Sequence, residues 1–189
     1  MASTVLIGGG VRSGKSAFAL SRARELGARR GFIATAEPFD DEMRERAQRH
    51  RIERGDDFFT LEAPRALSAA LREAWRTADV VVVDCLTLWL SNLLLEGLDR
   101  DAIRRRVDEL CETLRDSPAH VVIVSNEVGL GIVPESKLGR TFRDVSGEAH
   151  QTLGSQAHEL YFAMMGQLVR LRPGPLELVA SAPFVAHEH

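Results

Sequence analysis

The segment Gly9-Gly10-Val11-Arg12-Ser13-Gly14-Lys15-Ser16 has the glycines, lysine and hydroxyl of the G-x-x-x-x-G-K-[ST] phosphate loop. Glycines let the backbone curl until several N–H groups and a helix N-terminus face one anion. Lys15 then reaches the β- and γ-phosphates of a nucleotide, and the Ser16 hydroxyl ligates Mg2+. Arg12 adds a charge at the rim. Of the 24 basic residues only Lys15 and Lys137 are lysines, so a lysine at the motif position is informative. A glycine-rich βα turn without a ligand is the competing reading. A second candidate is Asp84, which ends the apolar run Val80 to Val83. A phosphate-loop enzyme places its Mg2+ carboxylate there, and an aspartate also suits the N-cap of a following helix. The third candidate is the charged stretch from Asp40 to Arg54, where helical spacing puts Arg46, His50 and Arg54 on one face with Glu42 a turn before them. Such a face is commonly just solvated. As chemistry, flanking positive charge keeps the His50 imidazole neutral and nucleophilic, and the guanidinium groups suit a triphosphate.

The elements that must position these residues follow from hydrophobic period. Thr4-Val5-Leu6-Ile7 reads as a strand running into the glycines, with a helix from Ser16 to about Leu26. Gly31 to Thr35 is a second short run closed by Pro38, and the charged helix follows from Asp40 or Asp41 to about Arg54. Phe58 to Leu61 predicts a strand, Pro64 to Arg76 a helix opened by its proline, and Val80 to Val83 a buried strand. Helices are expected over Leu86 to Glu96 and Asp101 to Arg115, with a buried strand over His120 to Ser125. The longest helical period runs from Lys137 to about Met165, with Leu138, Phe142, Val145, Ala149, Leu153, Ala157 and Leu160 on one stripe. Leu168 to Leu171 offers a last strand, and the proline-rich tail from Pro173 has little to pack. Alternating buried strands and helices predict a single α/β domain over 1–189, with a mostly parallel sheet covered on both faces and a weakly packed tail over about 173–189.

Composition narrows the function classes. The 189 residues carry 27 acidic and 24 basic side chains, a net charge of −3 and a pI near 6.1. That balance disfavours nucleic acid as the partner, because backbone binding needs a concentrated positive field. Two cysteines cannot form a disulfide framework, and the N-terminus lacks the features of a signal peptide, so a cytoplasmic protein is expected. Val80 to Leu95 is too short, and with Asp84, Ser91 and Asn92 too polar, to span a bilayer. Ser125-Asn126-Glu127-Val128-Gly129 stands where a switch GTPase would carry Asn-Lys-x-Asp, which disfavours that class. Asn126 and Glu127 suit either a site or a turn, and Arg140 and Arg143 either hold phosphate or coat the long helix. His120, His158, His187 and His189, Cys85 and Cys111, and Trp75 and Trp89 read as surface or packing residues.

In order along residues 4 to 165, the phosphate loop, Ile33-Ala34-Thr35-Ala36, Asp41-Glu42-Met43, Arg49-His50-Arg51, the strand ending at Asp84, Ser125 to Pro134 and Arg140-Thr141-Phe142-Arg143-Asp144 resemble one family. It is the bifunctional adenosylcobinamide kinase/adenosylcobinamide-phosphate guanylyltransferase family of cobalamin biosynthesis. The resemblance implies a RecA-like phosphate-loop domain that forms a homotrimer. It implies phosphorylation of adenosylcobinamide by ATP or GTP, then transfer of GMP from GTP to the phosphate, with release of pyrophosphate and a guanylylated histidine matching His50. The implied nucleotide contacts are Gly9, Gly10, Val11, Arg12, Ser13, Gly14, Lys15 and Ser16, then Ala34, Thr35, Ala36, Arg51, Ile52, Glu53, Arg54, Glu62 and Asp84. Lys15 joins His50 as a catalytic residue, and Ser16 and Asp84 hold Mg2+. Asp84 stands where the family often has Glu, and His150-Gln151 where many members have Asn-Gln. A phosphate-loop kinase without guanylyl transfer and a non-catalytic GTP-binding regulator remain the alternatives.

Overall fold

Four consecutive valines satisfy a strand only if both of its faces are covered, and Val80–Val83 are at most 1% exposed. In the computed structural model, which describes residues 2–37, 51–52 and 54–181, they form β4 (Val80–Asp84) within an eight-stranded sheet. The other strands are β1 (Thr4–Gly9), β2 (Arg30–Ala34), β3 (Phe58–Glu62), β5 (His120–Val124), β6 (Glu159–Met164), β7 (Gln167–Arg172) and β8 (Glu177–Ser181). The order is β3-β2-β4-β5-β1-β6-β7-β8. Strands β3 through β6 in that order are parallel, and β7 and β8 add an antiparallel extension.

The described helices are α1 (Lys15–Leu26), α2 (Leu67–Ala74), α3 (Leu86–Leu95), α4 (Arg100–Arg115) and α5 (Lys137–Gln156). Alternation divides the strand residues between two cores. Leu6, Ile33, Val81, Val83, Val121 and Ile123 pack with α2, α3, α4 and α5. Val5, Ile7, Phe32, Val80, Val82, Val122 and Val124 pack on the other face with Ala19, Leu20 and Ala23 of α1. Helices on both faces of a mostly parallel sheet meet the expectation from sequence.

Two sequence expectations are corrected and one competing reading is set aside. The long helix ends at Gln156, because Ala157 turns to extended backbone (φ −62°, ψ 136°) and the His158 N–H donates to Thr4 O at 2.9 Å. The following residues become β6, paired in parallel with β1 from Val5 to Gly9. Leu153, Ala157 and Leu160 fit a helical stripe, yet Tyr161 and Ala163 are buried by the alternation of a strand. His158 is therefore off the helix, and its Nδ1 accepts the Thr4 N–H at 3.0 Å. Asp84 does not cap α3: that position belongs to Cys85, with no side-chain capping bond. Finally, β8 lies beyond Pro173, where the sequence offered no element. Its partner β7 supplies the backbone bonds, and Glu177, Leu178 and Val179 remain exposed, so pairing rather than burial defines the strand.

Buried polar bonds lock the loops at the C-terminal ends of the strands. The fully buried Thr35 hydroxyl donates to Cys85 O at 2.7 Å and accepts the Cys85 N–H at 2.8 Å, tying the end of β2 to the turn after β4. Asn92 of α3 donates to Thr35 O at 2.7 Å and Pro64 O at 2.9 Å. Replacing Thr35 by Val keeps the shape, leaves the Cys85 N–H unpaired and leaves Cys85 O with only the Trp89 N–H. A loss of about 3 kcal/mol is expected in urea unfolding, with an unchanged denaturant slope, against about 1 kcal/mol for Thr35→Ser.

The helices are also joined by surface charge. Arg100 and Arg104 of α4 both hold Glu148 of α5, and their hydrogen bonds lower its carboxyl from 4.5 to about 2. Arg29 holds Asp79 in the same way, from 3.8 down to about 2. A folded-state value below the unfolded one stabilises above the unfolded value and is lost as pH falls through the folded one. The stability difference between wild type and Glu148→Gln, read from urea midpoints, is therefore expected to be present above pH 4.5 and to vanish near pH 2. It should be small and shrink in high salt, since the arginines are solvent-facing.

Candidate nucleotide and metal site

The turn from β1 into α1 is shaped by backbone that a side chain would obstruct. Gly9 has φ +149°, and a β-carbon there would lie 2.4 Å from Ala163 O on the neighbouring strand. Gly14, with φ 88°, occupies the N-cap of α1 in the left-handed region and offers no capping side chain. By contrast α4 and α5 are capped by Asp99 and Ser136, which accept the N–H groups of Ala102 and Gly139. The first amides of α1 are thus left for an anion at the positive end of the helix dipole. Arg12, itself at φ 54°, and Val11 are exposed at the rim. Ser13 Oγ is buried with no hydrogen-bond partner among the described residues, a polar atom turned into the loop and unsatisfied without a ligand. Lys15 is 6% exposed and donates from Nζ to Gly10 O at 2.7 Å, curled over the loop it would share with phosphate.

Parallel register brings the other predicted residues to the same edge. Ala34 is paired with both Glu62 and Asp84, and Asp84 with Val124. Asp84 has the parity of Val80 and Val82, so its side chain lies on the α1 face of the sheet. The Cys85 thiol, raised to about 11 by burial and by Asp84, is pulled back by Lys15, which puts both charges near the same turn. Arg54 is on that face too, 7% exposed, with its guanidinium 3.8 Å from the Phe32 ring centroid. Burial pushes its pKa down, Asp84 pulls it up and Arg51 pushes it down. Ala36 follows β2, half-buried, while the Thr35 hydroxyl is committed to Cys85. Glu62 is exposed at the end of β3, four strand spacings or roughly 19 Å from the loop strand. Arg51 and Ile52 are exposed. His50, Glu53, Arg46 and Glu42 lie outside the described residues.

These donors suit Mg2+. Ser16, in the first turn of α1, and Asp84 are hard oxygen ligands beside a phosphate cradle. Mg2+ is ordinarily held by one or two protein oxygens, substrate phosphates and water. No group of three or more His, Cys, Asp or Glu among the described residues is arranged to hold a metal by itself.

The structure also assembles a cluster that the sequence left unconnected. Ser125 Oγ lies 2.6 Å from His150 Nε2, and His150 Nδ1 lies 3.5 Å from Glu127 Oε2. Glu127 Oε1 accepts the Gly129 N–H at 2.6 Å, and the Glu127 N–H donates to Gly9 O at 2.9 Å. Arg143 donates to Gly129 O, and Arg140 to Pro134 O and Glu135 O, so both arginines brace the loop after β5. The legible signal was the seven-residue, two-turn interval between Arg143 and His150, which puts both on one face of α5.

The profile of a family described as cobinamide kinase / cobinamide phosphate guanyltransferase matches residues 5–171. The bifunctional adenosylcobalamin biosynthesis protein CobP of Pseudomonas aeruginosa is 41% identical over 171 residues, covering 90% of this chain and 98% of that one. Its counterpart CobU of Escherichia coli is 35% identical over 180 residues, covering 89% and 99%. Among solved structures, an ATPase domain aligns with a TM-score of 0.58 at 15% identity, over 95% of this chain and 81% of that one. A RadB recombinase aligns at 0.50 and 16% identity, over 96% and 83%. These two likenesses bear on the fold, which is that of the RecA-like phosphate-loop ATPases. With the loop, its carboxylate and a match over most of the length, this chain belongs to the cobinamide kinase / cobinamide phosphate guanyltransferase family.

Proposed function

We propose that this chain carries both activities of its family at the edge formed by β1, β2 and β4. It phosphorylates adenosylcobinamide with ATP or GTP, then guanylylates the product to adenosyl-GDP-cobinamide. The observation that supports this most directly is the uncapped, glycine-opened start of α1 with Lys15 folded over it and Asp84 on the same face. In the first reaction the loop amides and Lys15 hold the β- and γ-phosphates. The substrate hydroxyl oxygen attacks the γ-phosphorus, and the bond to the β–γ bridging oxygen breaks. Mg2+, held by Ser16 and Asp84, would neutralise charge on the phosphate oxygens. Buried Arg54, next to Asp84, and exposed Arg12 add fixed positive charge.

For the second reaction the proposal rests on the motif around His50. Its ring nitrogen attacks the α-phosphorus of GTP, pyrophosphate leaves, and an oxygen of cobinamide phosphate then takes the guanylyl group and frees the histidine. Ala34, Thr35, Ala36, Arg51, Ile52, Glu53, Arg54 and Glu62 are the proposed remaining nucleotide contacts. A single-domain, cytoplasmic homotrimer completes the proposal. No described helix is long and apolar enough to cross a membrane.

The test is incubation of the protein and Mg2+ with GTP labelled at the α-phosphate. Label retained on protein, acid-labile and alkali-stable, is expected for wild type and absent from His50→Ala. Lys15→Ala should cut both cobinamide phosphorylation and guanylyl transfer by about 100-fold. If folded wild type binds GTP and retains no label with pyrophosphate removed, the guanylyl-transfer half is wrong.

A further inference from the structure

β5 runs between the strand of Asp84 and the strand of the phosphate loop, so whatever leaves its C-terminal end passes between the two. The Ser125 N–H bonds to Ile7 O and the Glu127 N–H to Gly9 O, each at 2.9 Å. Two residues of α5 grip the same turn: Arg143 through Gly129 O, and His150 through Ser125 and Glu127. Beyond it the chain projects, with Leu130 82%, Ile132 95% and Val133 63% exposed. Apart from this turn, the loop is held by Arg140 at Pro134 O and Glu135 O, and the turn itself is also held by Thr87 at the Asn126 N–H.

The proton inventory shows what His150 supplies. Ser125 is fully buried, so it is not open to attack a substrate, and its hydroxyl needs an internal partner. With the proton on Nδ1, neutral His150 accepts from Ser125 at Nε2 and turns its N–H toward Glu127, satisfying both neighbours. Burial favours this neutral ring, while Glu127 opposes the shift. The Glu127 carboxylate is then held from two sides, by the Gly129 amide and by the imidazole.

We infer that His150 is a positioning residue for the transfer reactions, fixing the Glu127 carboxylate and the turn 126–129 against Gly9, the first glycine of the phosphate loop. The inference rests on the functional reading above and adds a residue to it. His150 touches no phosphate; it acts through Glu127. Loss of its Nδ1 donor leaves the Glu127 carboxylate held from one side only and loosens the turn that is bonded to Gly9.

Three variants separate the two ring nitrogens. Asn places an amide N–H near the Nδ1 position and keeps the contact to Glu127. Gln reaches toward the Nε2 position and keeps only the contact to Ser125, and Ala keeps neither. For His150→Ala and His150→Gln, kcat for adenosylcobinamide phosphorylation should fall about tenfold or more with nucleotide Kd within about twofold, and His150→Asn should recover most of the rate. Deuterium exchange at the amides of 127–131 should quicken in the Ala and Gln variants, with the rest of the sheet unchanged. An unaltered kcat in His150→Ala, equal recovery by Gln and Asn, or faster exchange throughout the sheet would overturn the inference. If wild type phosphorylates no cobinamide, the functional reading has failed, and unchanged exchange at 127–131 in His150→Ala separately defeats the positioning.

Discussion

Gly9 leaves β1 so close to Ala163 that a methyl group would meet its carbonyl oxygen at 2.4 Å, and the carbonyl of Gly9 in turn accepts the Glu127 amide. One residue is thereby fixed from β6 on one side and from the turn after β5 on the other. The direction in which the chain departs toward α1 follows from that clamp. So does the place where the helix amides converge, since Gly14 and Lys15 are only one short turn away. A phosphate loop is often described by its own glycines. Here its starting point is set by backbone on β6 and after β5, and the loop inherits the rigidity of the sheet centre.

The same logic places the carboxylate. Covering both faces of Val80–Val83 leaves β4 no freedom to slide or rotate, so Asp84 emerges at a fixed height, level with Ala34 and Val124. Thr35 then ties the next residue, Cys85, to the adjacent strand with two buried bonds. Lys15, Arg54 and Asp84 share the α1 face, while the core on the opposite face is closed by four helices, of which α5 brings His150 and Arg143 to the loop after β5. An anion meeting this edge finds Lys15 and Arg54 on the α1 side of the sheet.

Much of this was legible in residue order. The phosphate loop, the valine strand and its terminal Asp are local patterns whose physics needs no distant partner, and they stand where the pattern put them. The end of α5 was not legible, because Leu153, Ala157 and Leu160 continue its helical spacing, at intervals of four and three, past the point where the backbone becomes a strand. The choice is made by Thr4, whose backbone recruits His158 from 154 positions away. β8 escaped for a similar reason: it is held by pairing with β7 and carries no buried stripe of its own. Capping of α3 was the competing role for Asp84, and the extended backbone of Cys85 decides against it. The cluster of Ser125, Glu127 and His150 joins two segments through side chains: the interval from Arg143 to His150 shows a shared face of α5 but not that this face meets the loop after β5.

The position of β1 in the strand order has a consequence for synthesis. A ribosome makes β1 first, but its two neighbours are β5 and β6, and the second of these is completed only at Met164. Helices α1 through α4 can form and β2, β3 and β4 can associate while the first strand still lacks a partner on one side. The nascent chain therefore carries its anion-binding sequence for most of translation without the strand that closes around Gly9. Nucleotide gains its full cradle only when β6 arrives, after five other strands have been made. For this topology, binding at the first-made motif reports the completion of a strand made more than 150 residues later.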